Sequence, residues 1–318
     1  PAPPRLGKRF LQWRTLASFG LAIAVVLFAF RSWKVTPGQL LTQLRSANLA
    51  LYLLALVVYA TTFPSRGIRW RFMLKNIGLD APVFALSETI LVSWFVNSVV
   101  PLKLGDIYRA YLMRHNERFP VSSTLGTIFS ERIIDFVFLF IVLLGAGFVA
   151  LHDRVLAQAD QVLIVGLALV VAMALVLILM RWHGARFARL FSHRIQSIYE
   201  RFAHGTFASF RGNIVWIAVF TVLAWTSEGG RLFLVMHAVG VALPIAAVLF
   251  ILAGVSFSLI APTPGGLGAA EAVLAGLLIL FGVQPVMAAA IALLDRLISY
   301  WALLFFGFLA YTFSQRTR

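Results

Sequence analysis

The stretch from 262 to 296, PTPGGLGAAEAVLAGLLILFGVQPVMAAAIALLDR, restricts this chain more than any other. Pro262, Pro264, Gly265, Gly266 and Gly268 fall between two apolar runs, 241–261 and 269–281. Proline donates no backbone hydrogen bond and glycine holds a helix poorly, so a helix breaks here. Yet the flanks are as apolar as a bilayer span. Broken backbone at membrane depth persists only where protein or a water-filled cavity surrounds it. Carboxylates follow at Glu271 and Asp295, with Arg296 beside the second. Charges inside apolar helices are costly and mark functional positions. The stretch therefore reads as half of a site for a polar or charged substrate inside a membrane.

Composition fixes the class. The 318 residues are 61% hydrophobic and 12% charged, with mean hydropathy +0.90. These values, with continuous rather than alternating apolar runs, predict an all-α polytopic membrane protein and not a β-barrel. With no cysteine, disulfides, thiol nucleophiles and thiolate metal sites are excluded. The formal charge of +15 comes mostly from arginines between apolar runs. It reads as topology signals and headgroup anchors rather than as a nucleic-acid surface. Arginine far exceeds lysine, which points to a GC-rich bacterial source and so to a bacterial cytoplasmic (inner) membrane.

In chain order, a first span is expected at 16–30 and a second at 49–63. Arg66, Arg69, Arg71 and Lys75 then form a cytoplasmic basic cluster. Segment 83–100 is apolar but carries Ser87, Glu88, Ser93, Asn97 and Ser98. If it crossed, the basic stretch after Pro101 would lie outside and every later loop would invert, so a re-entrant segment is expected. Spans follow at 127–151 and 162–180. Phe187, Phe191, Ile195, Ile198 and Phe202 then form one apolar stripe in an arginine-rich linker, 181–212, expected as an amphipathic helix in the cytoplasmic interface. A span at 214–239, a second re-entrant element at 241–281 and a last span at 285–313 complete a scheme of about six full spans plus two re-entrant elements. Both termini are then cytoplasmic.

The two broken elements superpose in sequence. Arg69…Gly78 resembles Arg231…Gly240, and Pro101…Gly105 resembles Pro262…Gly266. Glu131-Arg132 resembles Asp295-Arg296. The offsets stay between 161 and 164 residues, which indicates duplication. A single membrane domain, 1–318, would then hold one repeat at 49–151 and a second, inverted one at 214–313. Inverted repeats with discontinuous helices are the architecture of alternating-access carriers.

Seven acids, Glu88, Asp106, Glu131, Asp135, Glu228, Glu271 and Asp295, fall within or next to apolar runs, with Arg109, Arg132, Arg231 and Arg296 available to neutralise them. Such pairs can lock spans together or meet a substrate. For Glu131, Asp135 and Asp295 both readings stand. Arg109 and Arg296 are expected to face a hydrated cavity, because an arginine fork matches phosphate and carboxylate. No hydrolytic or nucleotide-binding motif is present, and the six histidines have no metal-ligand spacing. No catalytic residue, metal or cofactor is expected.

FVNSVVPLKLGDIYRAYLM, SERIIDFVFLF, APTPGGLGAAEAVLAGLL and LLDRLISYW resemble the lysylphosphatidylglycerol synthase transmembrane-region family, also called the flippase-like or UPF0104 family. In fused members this membrane domain is joined to a soluble aminoacyl-transferase and moves the aminoacylated lipid across the bilayer. No transferase is expected within these 318 residues. The resemblance therefore implies lipid translocation rather than synthesis, for a phospholipid, aminoacyl-phospholipid, glycolipid or hopanoid. The expected partners are anionic or zwitterionic membrane lipids, together with a homodimer or a lipid-modifying enzyme, and no nucleic acid. A membrane-embedded transferase or an accessory subunit is the alternative. The candidate substrate-binding residues in the first repeat are Asn97, Lys103, Asp106, Arg109, Glu131, Arg132 and Asp135. In the second they are Glu228, Arg231, Pro262, Gly265, Gly266, Glu271, Asp295 and Arg296.

Overall fold

The computed structural model describes residue 31 and residues 36–100, 104–150, 157–259, 263–314 and 316. Within these residues every regular element is helical. The elements are α1 (Pro37–Arg45), α2 (Leu49–Ala60), α3 (Thr62–Lys75), α4 (Val83–Val99), α5 (Leu104–Glu117), α6 (Val121–Ala150) and α7 (Ala157–Leu179). They continue as α8 (Ala185–Ala188), α9 (His193–Ala208), α10 (Ile214–Ala238), α11 (Ile245–Ser258), α12 (Ala269–Leu280), α13 (Pro285–Arg296) and α14 (Leu303–Phe313). Five continuous helices are long and apolar enough to span a bilayer: Leu49–Lys75, Val121–Ala150, Ile164–Ala188, Ile214–Ala238 and Pro285–Phe313. The span expected at 16–30 lies outside the described residues. This is an all-α polytopic membrane protein.

Two sequence expectations need correction. The second span does not stop at Phe63. α2 and α3 join at Thr61 into one 27-residue helix, because Pro64 falls in the first turn of α3, where a missing N–H is tolerated. Arg66 and Arg69, expected in a cytoplasmic loop, are therefore buried inside the bundle, 2% and 0% exposed. The linker stripe is also not one helix. Ser192 separates α8 from α9 between Phe191 and Ile195.

The short apolar helix α4 and the following α5 fold back on each other. α4 begins just after α3 ends, and the end of α5 returns to the start of α4. Arg316 reaches both Glu88 on α4 and Glu117 at the end of α5, at 3.7 and 2.7 Å. At the opposite end of the bundle, the Asn48 N–H donates to the Ala238 carbonyl, joining the start of α2 to the end of α10.

The entry to α4 and the entry to α11 are built alike. Gly78 and Gly240 take φ +78° and +82°, the left-handed conformation that ends a helix and that glycine adopts without strain. Leu79 N–H returns to the Leu74 carbonyl at 3.0 Å, and Val241 N–H to that of Met236 at 2.9 Å. Pro82 and Pro244 then precede the next helix, and each proline carbonyl accepts the N–H four residues on. Both turns place a short helix of buried residues inside the bundle. Beside the first turn Arg71 donates to exposed Asp80 at 2.6 Å, which holds that carboxyl below its ordinary range.

Candidate functional site

The charged residues of the spans meet as one chain of alternating sign. Arg109 Nη2 lies 3.0 Å from Glu131, whose other oxygen lies 3.3 Å from Arg69. Arg69 forks onto Asp135 at 2.6 and 3.2 Å. Asp135 also accepts from Arg66 at 3.1 Å and from Trp225 Nε1 at 3.1 Å. Arg66 approaches Glu228 at 4.0 Å, Glu228 lies 3.6 Å from Arg231, and Arg231 lies 3.2 Å from Asp295. Four arginines thus face four carboxylates, and the chain as a whole is neutral. Each of these ions alone would be prohibitive in a low-dielectric interior, so pairing is the condition for burial.

Helical spacing explains who meets whom. Arg66 and Arg69 are three residues apart, hence on one face of α3. Glu131 and Asp135, four apart on α6, answer them with the same periodicity. Arg66 lies between Trp94 and Trp225, 5.0 and 5.1 Å from their ring centres. Arg109 lies 3.5 Å over Trp70, an arrangement that satisfies a guanidinium face without a hydrogen bond.

Two further pairs sit at the helix breaks. Asp106 is the third residue of α5 and pairs with Arg132 at 3.0 Å. Glu271 is the third residue of α12 and pairs with Arg296 at 2.9 Å. A carboxylate in the first turn also suits the positive end of the helix dipole. Glu271 accepts the Gly268 N–H at 2.7 Å, and Asn97 Oδ1 accepts that of Gly105 at 2.8 Å. Arg296 additionally donates to the Gly265 carbonyl at 3.0 Å. Gly265, Gly266 and Gly268 all have positive φ, which leaves that carbonyl turned towards the guanidinium instead of into a helix. The two broken regions touch. Tyr300 OH, one turn after Arg296, donates to the Ser98 carbonyl at 2.9 Å, and a Cβ on Gly265 would meet the Tyr300 ring.

Of the expected residues, Arg109, Glu131, Asp135, Glu228, Arg231 and Asp295 fall on the chain, and Asp106, Arg132, Glu271 and Arg296 fall on the pairs at the breaks. Asn97 contacts Asp106 at 3.4 Å. Lys103 and Pro262 lie outside the described residues. Arg109 and Arg296 do not face open space as expected. They are 0% and 8% exposed, because Trp70 and Glu131 close over one while Glu271 and the Gly265 carbonyl hold the other. Arg296 is paired with Glu271, not with its neighbour Asp295. Two members of the chain, Arg66 and Arg69, were missed in the sequence. Seven membrane-level acids against four assigned arginines was the signal that further partners had to exist. Several buried donors stay unmatched by the ion pairs, among them Arg109 Nε and Nη1, Arg231 Nη1 and Thr263 Oγ1. Among the described residues no cluster of metal-binding side chains occurs.

Spans, broken helices and a buried neutral chain of ion pairs define a multi-pass membrane protein with its polar centre inside the bundle. Residues 17–307 match the family model described as the lysylphosphatidylglycerol synthase TM region, and the chain belongs to that family. It is similar to a UPF0104 membrane protein of Methanothermobacter thermautotrophicus, 25% identical over 89% of this chain and 88% of that one. It is also similar to UPF0104 membrane protein MJ1078 of Methanocaldococcus jannaschii, 26% identical over 70% and 95%. A shorter match, 31% identical over 36% of this chain and 19% of the relative, is to glycosyltransferase AglD of Haloferax volcanii.

Proposed function

We propose that the protein carries a polar-headgroup lipid between leaflets, through a path lined by its two broken elements. The observation that supports this most is the recurrence of one arrangement. Arg69–Glu131 and Arg231–Asp295 are equivalent pairs, as are Arg132–Asp106 and Arg296–Glu271, at offsets of 162 to 165 residues. Helix packing alone has no need of an acid in the first turn after each break with an arginine from the next span upon it. Two inverted repeats, 49–151 and 214–313, account for the recurrence and supply the two half-sites of an alternating-access carrier.

The neutrality of the chain suits a zwitterionic or anionic headgroup. Opening one link frees an arginine fork for the phosphate and a carboxylate for a cationic group, so a zwitterionic lipid replaces a broken internal pair without leaving a net buried charge. Lipids are the partners in this reading, in a cytoplasmic membrane with both termini on its inner side. The test is reconstitution into liposomes with a panel of headgroup-labelled phospholipids, aminoacyl-phospholipids and glycolipids. One class should exchange between leaflets faster than in protein-free liposomes, and equal rates across the panel would overturn the reading. The relative named as a glycosyltransferase supports a second reading, a role in enzymatic modification of a lipid-linked substrate. In that case the same liposomes would yield a modified lipid instead of an exchanged one.

A further inference from the structure

The linker between α7 and α10 carries a surface that the lipid path does not use. α9 lies on the first half of α6 with its backbone in contact. A Cβ on Gly205 would overlap the Ser123 carbonyl oxygen, and one on Gly126 would overlap that of Phe202. Ser130 Oγ donates to the Thr206 carbonyl at 2.8 Å. Arg201 Nε donates to Ser122 Oγ at 3.2 Å, so the packed part of α9 runs from Arg201 onward. The residues of α9 before Arg201 are exposed or half-buried.

Helical periodicity carries the packed face back from Phe202 into this earlier part of α9. Phe202 still meets Phe129, with ring centres 5.8 Å apart. Ile198 and Ile195 continue the same stripe at 45% and 46% exposure. Phe187, Leu190 and Phe191, around the turn before α9, are 63%, 77% and 48% exposed, and Trp182 is 69% exposed. The segment is nonetheless fixed in place, because Tyr199 OH donates to the Met180 carbonyl at 2.6 Å. Arg181, Arg186, Arg189, Arg194 and Arg201 surround the apolar stripe and are all exposed. Glu200 is the sole carboxylate between 181 and 212.

We infer that residues 182–198 form a docking surface for anionic phospholipid headgroups. An apolar stripe at the end of a span enters the headgroup boundary, and arginines at its margins reach phosphates while their stems stay apolar. The excess of arginine selects lipids of net negative charge over neutral zwitterionic ones, since each basic residue near an anionic surface adds attraction that salt screens. This surface is separate from the buried chain of ion pairs, and its assignment does not depend on transport.

The absence of cysteine makes the test direct. Single cysteines at Phe187, Ile195 and Ile198, with Glu200 as the control on the opposite side of α9, carry an environment-sensitive fluorophore. The labelled proteins are placed in nanodiscs of phosphatidylcholine alone or mixed with phosphatidylglycerol. With phosphatidylglycerol the three stripe labels should shift to the blue and be quenched by brominated lipid chains, while the label at Glu200 keeps its aqueous emission. The shift should weaken at high salt and disappear in the Arg186→Gln, Arg189→Gln, Arg194→Gln variant, whose exposed substitutions leave the core intact. Stripe labels that stay aqueous with phosphatidylglycerol, or that respond equally in phosphatidylcholine, would overturn the inference. So would shielding that appears in detergent and grows with protein concentration, which would identify a second copy as the occupant.

Discussion

Arg296 shows how a buried ion depends on its partner. It stands against Glu271 and the Gly265 carbonyl with no open face. Removing one member of such a pair strands the other in low dielectric, at a cost of roughly 3–5 kcal/mol. Arg296→Gln should therefore lower the melting temperature and yield in detergent. Adding Glu271→Gln should recover most of that loss, because no uncompensated charge remains. Comparable melting of the single and double variants would show that the Gly265 carbonyl, rather than the ion pair, is what Arg296 holds. Arg109→Gln tests the other half in the same way, since it leaves Glu131 with Arg69 alone. Its loss should be smaller than that of Arg69→Gln, which removes a partner from both Glu131 and Asp135. Thermal unfolding of the two variants side by side decides the order.

Among the elements, the contact between α6 and α9 leaves little room. Val at Gly126 would drive its side chain into the backbone of α9, and a misfit of that kind costs about 1–3 kcal/mol. Gly126→Val should lower the melting temperature, whereas Gly145→Val, which meets nothing within 4 Å on the same helix, should leave it nearly unchanged. The break between α11 and α12 was legible in the sequence, because prolines and glycines cluster there between two apolar runs. Gly78 and Gly240 stood out in the sequence only as matching positions of the repeat, and the structure shows both at left-handed turns. The course of α3 was not legible. Pro64, Ser65, Arg66 and Gly67 interrupt the hydrophobic run, and a hydropathy reading ends the span there. Its continuation to Lys75 depends on tertiary pairing of Arg66 and Arg69 with acids more than sixty residues away, which local composition does not report. Ser192 split the linker for a similar reason. The 3.6-residue period of the stripe passes through a turn without showing it.

At the scale of the molecule, the arginine distribution and the contacts describe the same two ends. Asn76, at the end of α3, donates to the Ser209 and Gly212 carbonyls of the linker, at 2.9 and 3.1 Å, so Lys75 and the linker share one end of the bundle. Arg45 belongs to the other end, beside the junction of Asn48 with Ala238. Single cysteines at Lys75, Arg114 and Arg194 should react with an impermeant reagent only from the cytoplasmic side, and one at Arg45 only from outside. Labelling of Arg114 from outside would mean that 83–117 crosses the membrane. Arg66 raises the remaining whole-molecule question, because it is the link between the charges of the two halves. It pairs tightly with Asp135 and only loosely, at 4.0 Å, with Glu228. If it is removed, Asp135 keeps Arg69 and Glu228 keeps Arg231, so no carboxylate is left without a cation. Arg66→Gln should therefore destabilise the protein less than Arg69→Gln. In the carrier reading, exchange of Arg66 between the two acids couples movement of one half to the other. Losing that link should slow lipid exchange by about tenfold, the equivalent of about 1.4 kcal/mol of coupling. Arg66→Lys retains the charge but cannot fork between two acids, so it should restore stability more fully than transport. Melting temperature and liposome exchange measured on both variants separate the two roles. Normal exchange in a stable Arg66→Gln protein would reduce this residue to an internal counter-ion and place the coupling elsewhere in the chain.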